Sequence, residues 1–373
     1  MTVHWRDVVN AEVVGERETI CTLPGGETIE KQGRSLIVSF PNRDRMVLSS
    51  AEFNGGFFVG PHAVFNTTGL VGEAEKSLMG AGHKEYDAYC AECAKKVGLD
   101  PEMVVGLGTA VTMDKAAIVT KSVGRTSVSA VVTAGVEGNG GRAGDPASYN
   151  QLEKFQVKNG TIVIILLIEA DLPAHSLARA IMTATEAKTC ALQQLMAPSL
   201  YSTGIATGSG TDQIAVVCDS GSDIKLTDAG KHSLLGELIG KCVTEAVLKA
   251  LDNWAKLNPI FQRDAVRRLA RYKVKDSDYL SCVKKEVLDK DSFFNSLKRI
   301  SKDGKVVAAV ASVIHIQDEI GWGLLAEEDG RQIAESILSH VLLENGIKNC
   351  HLEKDGNIIS NATLVLSYLA LKS

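Results

Sequence analysis

The chain has 373 residues, 45% of them hydrophobic and 23% charged, which places it among globular proteins with material for one large core or two ordinary ones. A formal net charge of −5 and a pI near 6.0 supply no general field for holding a polyanion, so nucleic acid is not expected as a partner. The opening MTVHWRDVVNAEVVGE carries early charges and no uninterrupted apolar run, so no secretory signal is read there, and the most apolar run, residues 162–168, is too short to cross a bilayer.

From the N-terminus the pattern is strand and turn. TICTL (19–23), the turn PGGE and TIEKQ (28–32) have the form of a hairpin, followed by SLIVSF (35–40), the turn PNRD and RMVLSS (45–50). Met79, Tyr86, Cys90, Cys93 and Val97 recur at helical spacing and Gly98 follows as a stop, which predicts one amphipathic helix over 73–97. Strands are predicted at 102–111, 115–121 and 127–132, before the loop TAGVEGNGGRAGDPASY (133–149). Beyond 158 the order becomes strand (161–168), helix (175–196), strand (213–218) and a long helix starting near Lys231. After Trp254 the pattern is mostly helical, with a hairpin signal in HLEKDGNIIS (351–360). The expected fold is α/β or α+β, a layered mixed β-sheet core with flanking helices over 1–252, followed by a mostly helical C-terminal region over 253–373.

The eight cysteines are scattered, and Cys90 and Cys93 form a lone CxxC inside a helical pattern. With no second pair and no His pair at finger spacing, they read as buried thiols in a reducing cytoplasm, not as a zinc site. Arg263, Arg267, Arg268, Arg271, Lys273 and Lys275 read as a solvated helix face.

Three glycine-rich loops fall where strands end or begin: LSSAEFNGG (48–56), the loop at 133–149 and ATGSGTD (206–212). None completes a phosphate-binding motif, but together they can offer backbone donors and hydroxyls to one ligand. On the helix at 175–196, Leu177, Ile181, Ala184, Ala191 and Leu195 share a face, and Lys188 lies in the middle of it. Such a lysine is either a snorkelling amine or a site-lining ammonium paired with a carboxylate such as Asp145 or Asp212. His232 is placed at the first turn of the next helix, on the side of Ile239, where it suits a neutral base or a structural histidine. Gly236 and Gly240 allow another backbone to pack closely on that helix. There is no GxSxG elbow and no HExxH, so neither the serine-elbow nor the zincin template applies, and no metal ligands are assigned.

In chain order, LSSAEFNGG, TAGVEGNGGRAGDPASY, ATEAKTCAL (184–192), ATGSGTD and HSLLGELIGKCVTEAV (232–247) together resemble the adenosylcobinamide amidohydrolase family of corrinoid salvage, over roughly residues 35–250. The resemblance implies hydrolysis of the amide joining the corrin side chain to aminopropanol, giving adenosylcobyric acid. Amide hydrolysis needs an activated water or nucleophile, donors for the oxyanion and an acid for the leaving amine. His232 with Asp145, Asp212 or Glu237 are the candidates for proton transfer. Candidates for substrate binding are Ser49, Ser50, Asn54 and Gly55 in the first loop; Asn139, Gly140, Gly141 and Arg142 in the second; Lys188; and Thr207, Ser209 and Thr211 in the third. Arg142 is suited to fixing substrate oxygens. Gly230 stands where the aspartate of the DxHxxG corrinoid-carrier pattern would be, so the corrinoid is expected as substrate, with no cofactor. The competing reading is a corrinoid-binding or sensing protein without turnover. The partners expected are a small corrinoid and no membrane, with homo-oligomerisation left open.

Overall fold

The computed structural model describes residues 4–70, 72–79, 83–148, 150, 160–283, 287, 289–353 and 356–372. They fall into two units, Met1–Leu257 and Asn258–Ser373. The first unit begins with α1 (Trp5–Ala11), β1 (Glu18–Thr22), β2 (Thr28–Gln32), β3 (Ser35–Ser39), β4 (Arg45–Ser49), β5 (Gly56–Val59) and β6 (Ala63–Thr68). Then come α2 (Gly72–Met79), α3 (His83–Lys96), β7 (Val104–Thr109), β8 (Ala117–Val123), β9 (Thr126–Ala134), β10 (Gly140–Gly141) and β11 (Ile162–Ile168). It closes with α4 (Ala174–Gln194), β12 (Gly208–Ser209), β13 (Gln213–Asp219) and α5 (Leu234–Ala255).

Two mixed sheets form, in the orders β1-β2-β3-β6-β7 and β5-β4-β13-β11-β9-β8. The pairs β6–β7 and β11–β13 are parallel. Successive side chains of a strand point to opposite faces, and this sorts the unbroken apolar run of β11 between two cores. Val163, Ile165 and Leu167 pack with Val47, Val131 and Val217 of their own sheet and with Leu36, Val38, Val64 and Leu107 of the other. Ile162, Ile164 and Leu166 meet Leu177, Ala184 and Ala191 of α4 and Ile239, Val243 and Ala246 of α5. On the far face of the five-stranded sheet, Ile37, Phe65 and Val104 pack against Trp5, Tyr89 and Cys90. The unit therefore has four layers, helix, sheet, sheet, helix. Each fully buried aliphatic side chain of β11 contributes about 1.5–3 kcal/mol to holding them.

The structure bears out the layered mixed fold and corrects its details. SLIVSF and RMVLSS form β3 and β4, which enter different sheets, and the Arg45 guanidinium at the start of β4 meets Glu27 at 3.0 Å and Asp219 at 2.7 Å. The predicted helix 73–97 corresponds to α2 and α3, with residues 80–82 outside the described set. Strand β6 carries Asn66, a polar residue in a buried strand, whose Nδ2 donates to Thr133 Oγ1 across the two sheets at 3.0 Å. Cys90 and Cys93 are buried on α3, and burial pushes the Cys93 thiol up to about 11.

The second unit is helical: α6 (Ala265–Leu269), α7 (Asp276–Val283), α8 (Lys290–Ile300), α9 (Gly304–Gly321), α10 (Glu327–Glu344) and α11 (Ile358–Lys372). The hairpin expected over 351–360 is not formed, although residues 354–355 lie outside the described set. Its second arm is the first turn of α11, with Asn357 Oδ1 accepting from Ile359 N at 2.8 Å. Helix α11 buries Ile359, Ala362, Val365, Leu366 and Leu369, so its apolar periodicity outweighs the turn signal of Asp355-Gly356. The arginines of 263–271 do not form one solvated face: Arg271 is buried against Asp318, and Arg267 stacks on Phe261. Among the described residues no helix is long and apolar enough to cross a membrane.

Arg45 is 1% exposed and Glu27 3%, so removing the cation leaves a carboxylate uncompensated in the interior. Arg45→Met is expected to lower unfolding free energy by about 3–5 kcal/mol in urea titrations, with Arg45→Met/Glu27→Met recovering most of the loss. Equal destabilisation by both variants contradicts this account.

Candidate active site

Strand direction collects the loops. Strand β11 runs parallel to β13 and antiparallel to β9, and β4 is antiparallel to β13, so β4 and β9 end where β11 and β13 begin. The loops after β4, after β9 and before β13 therefore gather at one end of the six-stranded sheet. Two of them zip together. Gly140 pairs with Ser209 and Gly141 with Gly208, forming the two-stranded ribbon β10–β12. Thr207 N donates to Gly141 O at 2.9 Å, and Thr207 Oγ1 accepts from Ala143 N at 2.9 Å.

Beneath the ribbon lies an ion pair. Lys188 of α4 is 6% exposed and its ammonium meets the Asp212 carboxylate. Asp212 Oδ1 also accepts from Ile162 N at 2.9 Å and Ser209 Oγ at 2.7 Å, while Oδ2 accepts from Ser209 N at 3.0 Å. A buried pair is tolerable only when its remaining hydrogen-bonding capacity is filled, and this carboxylate has four donors. Gly208 is required by the same packing: a Cβ there stands 2.3 Å from Asp212 Oδ2 and 2.6 Å from Lys188 Nζ.

The second loop is pinned around Asn139 and Asp145. Asn139 is buried, accepting from Tyr201 Oη at 2.9 Å and donating to Gly160 O at 3.3 Å. Asp145 accepts from Arg142 N at 2.8 Å and from the Ser199 hydroxyl. Desolvation acts to raise the Asp145 carboxyl, but hydrogen bonds from Ser199, Ser202 and the Arg142 amide, with the Arg142 charge, outweigh it and hold it below the ordinary aspartate range. Arg142 itself is exposed. The Thr211 hydroxyl donates to Gly160 O at 2.8 Å.

The first loop shares the sheet end but hydrogen-bonds inward. Ser50 exchanges bonds with Ile214, its N donating to Ile214 O and its Oγ accepting from Ile214 N, both at 3.0 Å. Asn54 donates to Pro101 O at 2.7 Å and Val104 O at 2.8 Å. Ser49 is buried, with Oγ 3.4 Å from Ala51 N, and a Cβ at Gly55 stands 1.8 Å from Ala51 O.

His232 and Glu237 are not brought to these loops. Ser233 caps α5 by accepting from Gly236 N at 3.0 Å, so His232 precedes the helix and is exposed, and extending the helical wheel back from Ile239 misplaces it. Glu237 is exposed and pairs with Lys241 at 2.5 Å. The contacts of this segment are with α4, Lys231 to Glu186 at 2.7 Å and Ala229 O to Thr183 Oγ1 at 2.8 Å. Gly236 does admit close packing, by the carbonyl of Gly230, whereas Gly240 faces open space. Sequence reading passed over Ser199 and Tyr201, whose only signal is a polar turn before ATGSGTD. Among the described residues no three His, Cys, Asp or Glu side chains converge to hold a metal ion.

The profile of the adenosylcobinamide amidohydrolase family matches residues 20–259. The chain is 34% identical over 235 residues to an uncharacterized protein of Methanocaldococcus jannaschii, covering 59% of this chain and 87% of that one. It is 31% identical over 169 residues to a Methanosarcina mazei protein named adenosylcobinamide amidohydrolase, covering 44% of this chain and 72% of that one. A Pyrococcus horikoshii crystal structure overlaps 64% of this chain and 83% of its own at 15% identity, with a TM-score of 0.30, too loosely to bear on fold or chemistry.

Two variants probe the site's construction. Gly208→Ala forces apart the carboxylate and ammonium and is expected to lower the melting temperature, whereas Gly240→Ala, at an open helical position, is expected to raise it through the roughly 0.4–1 kcal/mol of added stability of a compatible Gly→Ala change. Matching shifts from the two variants contradict the packing argument. Because the folded state depresses the Asp145 pKa, its stabilising contribution is complete above the unfolded value of about 3.9 and is lost as pH falls through the lower folded value. Asp145→Asn is therefore expected to destabilise at neutral pH and to converge with wild type in acid, as read by melting curves across pH.

Proposed function

The chain belongs to the adenosylcobinamide amidohydrolase family, and on that premise we propose that it hydrolyses the amide joining the corrin side chain of adenosylcobinamide to aminopropanol, yielding adenosylcobyric acid. The observation that carries this reading is the gathering of three glycine-rich loops at one end of the six-stranded sheet, two of them zipped over the Lys188–Asp212 pair. A corrinoid is a broad ring edged with amides. It is best held by an open surface of main-chain and hydroxyl groups, not by a tight phosphate cradle. The ribbon of residues 140–141 and 208–209 offers main chain at this end of the sheet, and the exposed Arg142 can fix carbonyl oxygens of the ring.

Hydrolysis takes water as its second reactant, and the groups near the loops can exchange protons without a cofactor. Asp145 and Asp212 lie at the loops. The eight cysteines form no disulfide, which suits a reducing compartment and supports a cytoplasmic setting. The reading is tested by incubating the protein with adenosylcobinamide and following aminopropanol by mass spectrometry. Aminopropanol and adenosylcobyric acid are expected in equal amounts. Corrinoid binding with no release over hours leaves a binding protein instead of a hydrolase, and no binding removes corrinoids from the account.

A further inference from the structure

The proton-transfer and nucleophilic groups at the loop end of the sheet are not equivalent. Ser199 is buried, and its oxygen accepts from Tyr201 N at 3.1 Å and Ser202 N at 3.3 Å while its hydroxyl closes on Asp145, so it holds a turn. The Thr211 hydroxyl is committed to Gly160 O, and Thr207 Oγ1 accepts from Ala143 N. Ser50 Oγ accepts from Ile214 N inside the sheet edge. Ser209 shares with Ser199 an oxygen that accepts from the amide two residues on, here Thr211 N at 3.4 Å, but differs in access: it is half-buried on the ribbon between two glycines, and its hydroxyl donates to Asp212 Oδ1 at 2.7 Å. A Cβ at its neighbour Gly208 would stand 2.3 Å from Asp212 Oδ2, so the ribbon backbone rests directly on the charged pair.

We propose that Ser209 is the nucleophile of amide cleavage, with Asp212 as its proton acceptor and Lys188 as the residue that positions Asp212. The arrangement has the order a nucleophile needs: hydroxyl, base within hydrogen-bond reach, and a third group orienting the base. This inference rests on the amide-hydrolase reading. Ser209 Oγ bonds to the amide carbon as its proton passes to Asp212. Collapse of the tetrahedral adduct breaks the C–N bond, the proton leaves on the nitrogen of aminopropanol, and the acyl group stays on Ser209 as an ester. Water then adds to the ester, giving its proton to Asp212, and departure of the carboxylic acid returns a proton to Ser209. Lys188 takes no part in proton transfer. Its ammonium fixes Oδ2, leaving Oδ1 to face the hydroxyl.

The experiment has one arm that does not depend on the substrate. A fluorophosphonate probe bonds through phosphorus to an activated serine oxygen with loss of fluoride, and peptide mapping locates the adduct. Wild type is expected to be labelled at Ser209. Asp212→Asn is expected to abolish labelling, Lys188→Met to slow it per folded molecule, and Lys188→Arg to restore it in part. In the substrate arm, Ser209→Ala is expected to lower aminopropanol release by roughly 10³-fold or more, and hydroxylamine is expected to divert the wild-type acyl ester to a hydroxamate. A wild type not labelled at Ser209, or a Ser209→Ala variant that releases aminopropanol within tenfold of wild type, overturns the inference. Labelling at Ser209 without aminopropanol release overturns the corrinoid-amide reading and leaves the nucleophile standing.

Discussion

A lysine and an aspartate buried together, Lys188 and Asp212, are the constraint on which the loop end of the sheet depends. Taking two charges out of water costs several kcal/mol per ion, and mutual attraction repays that only with good geometry and filled hydrogen bonds. Asp212 meets the condition by drawing on four donors from three places: the ammonium on α4, the first amide of β11, and the amide and hydroxyl of Ser209 on the ribbon. The pair thus ties a helix, a central strand and a surface loop to one point. It also decides that residue 208 is glycine, since any Cβ there enters the space of both charged groups.

The sandwich is closed by polar chemistry at both ends, with different consequences. At the end remote from the loops, Arg45 joins Glu27 before β2 to Asp219 at the end of β13, linking the two sheets through a nearly inaccessible guanidinium. Burial raises the Glu169 carboxyl at that end, with the neighbouring Glu27 adding to the effect. At the loop end, Asn66 to Thr133 and Gly108 N to Gln213 Oε1, at 3.0 Å each, join the sheets just below the ribbon. The first end is sealed by buried charge. The second carries the ribbon and its half-buried hydroxyl, the kind of rigid support a reacting group needs.

The second unit rests on a different principle. Helix α11 is apolar around most of its circumference and sits among α7, α8, α9 and α10, so the bundle is organised around one buried helix instead of a sheet. Asn361 on that helix is buried, and exchanges two hydrogen bonds with the main chain of Glu353, at 3.0 and 3.1 Å. That contact anchors the segment leading into α11.

Much of the fold is written in local patterns. The run IVIILLI is a strand buried on both faces whatever surrounds it, because seven aliphatic residues between a threonine and a glutamate have no polar face to show to water. The periodicity around Lys188 likewise places this residue on the inward side of α4, while leaving open whether its ammonium snorkels outward or enters the site, and the glycine spacing of ATGSGTD marks a loop where backbone is approached closely. What local pattern cannot supply is the choice of partner. Asp145 and Asp212 are equally available to Lys188 along the chain, and only the parallel pairing of β11 with β13, which sets Asp212 beside the Ile162 amide, selects one. His232 shows the opposite failure: a helical wheel extended by two residues turns it inward, but the Ser233 cap begins the helix after it and leaves it exposed. Sequence by itself determined which apolar residues of the long strand and helices face a core, since that depends on periods of 2 and 3.6, but not that Arg271 is buried against Asp318. The tertiary structure alone decided which polar groups meet, since that depends on strand order and direction, and residues far apart in the chain are joined by contacts that no local energy specifies.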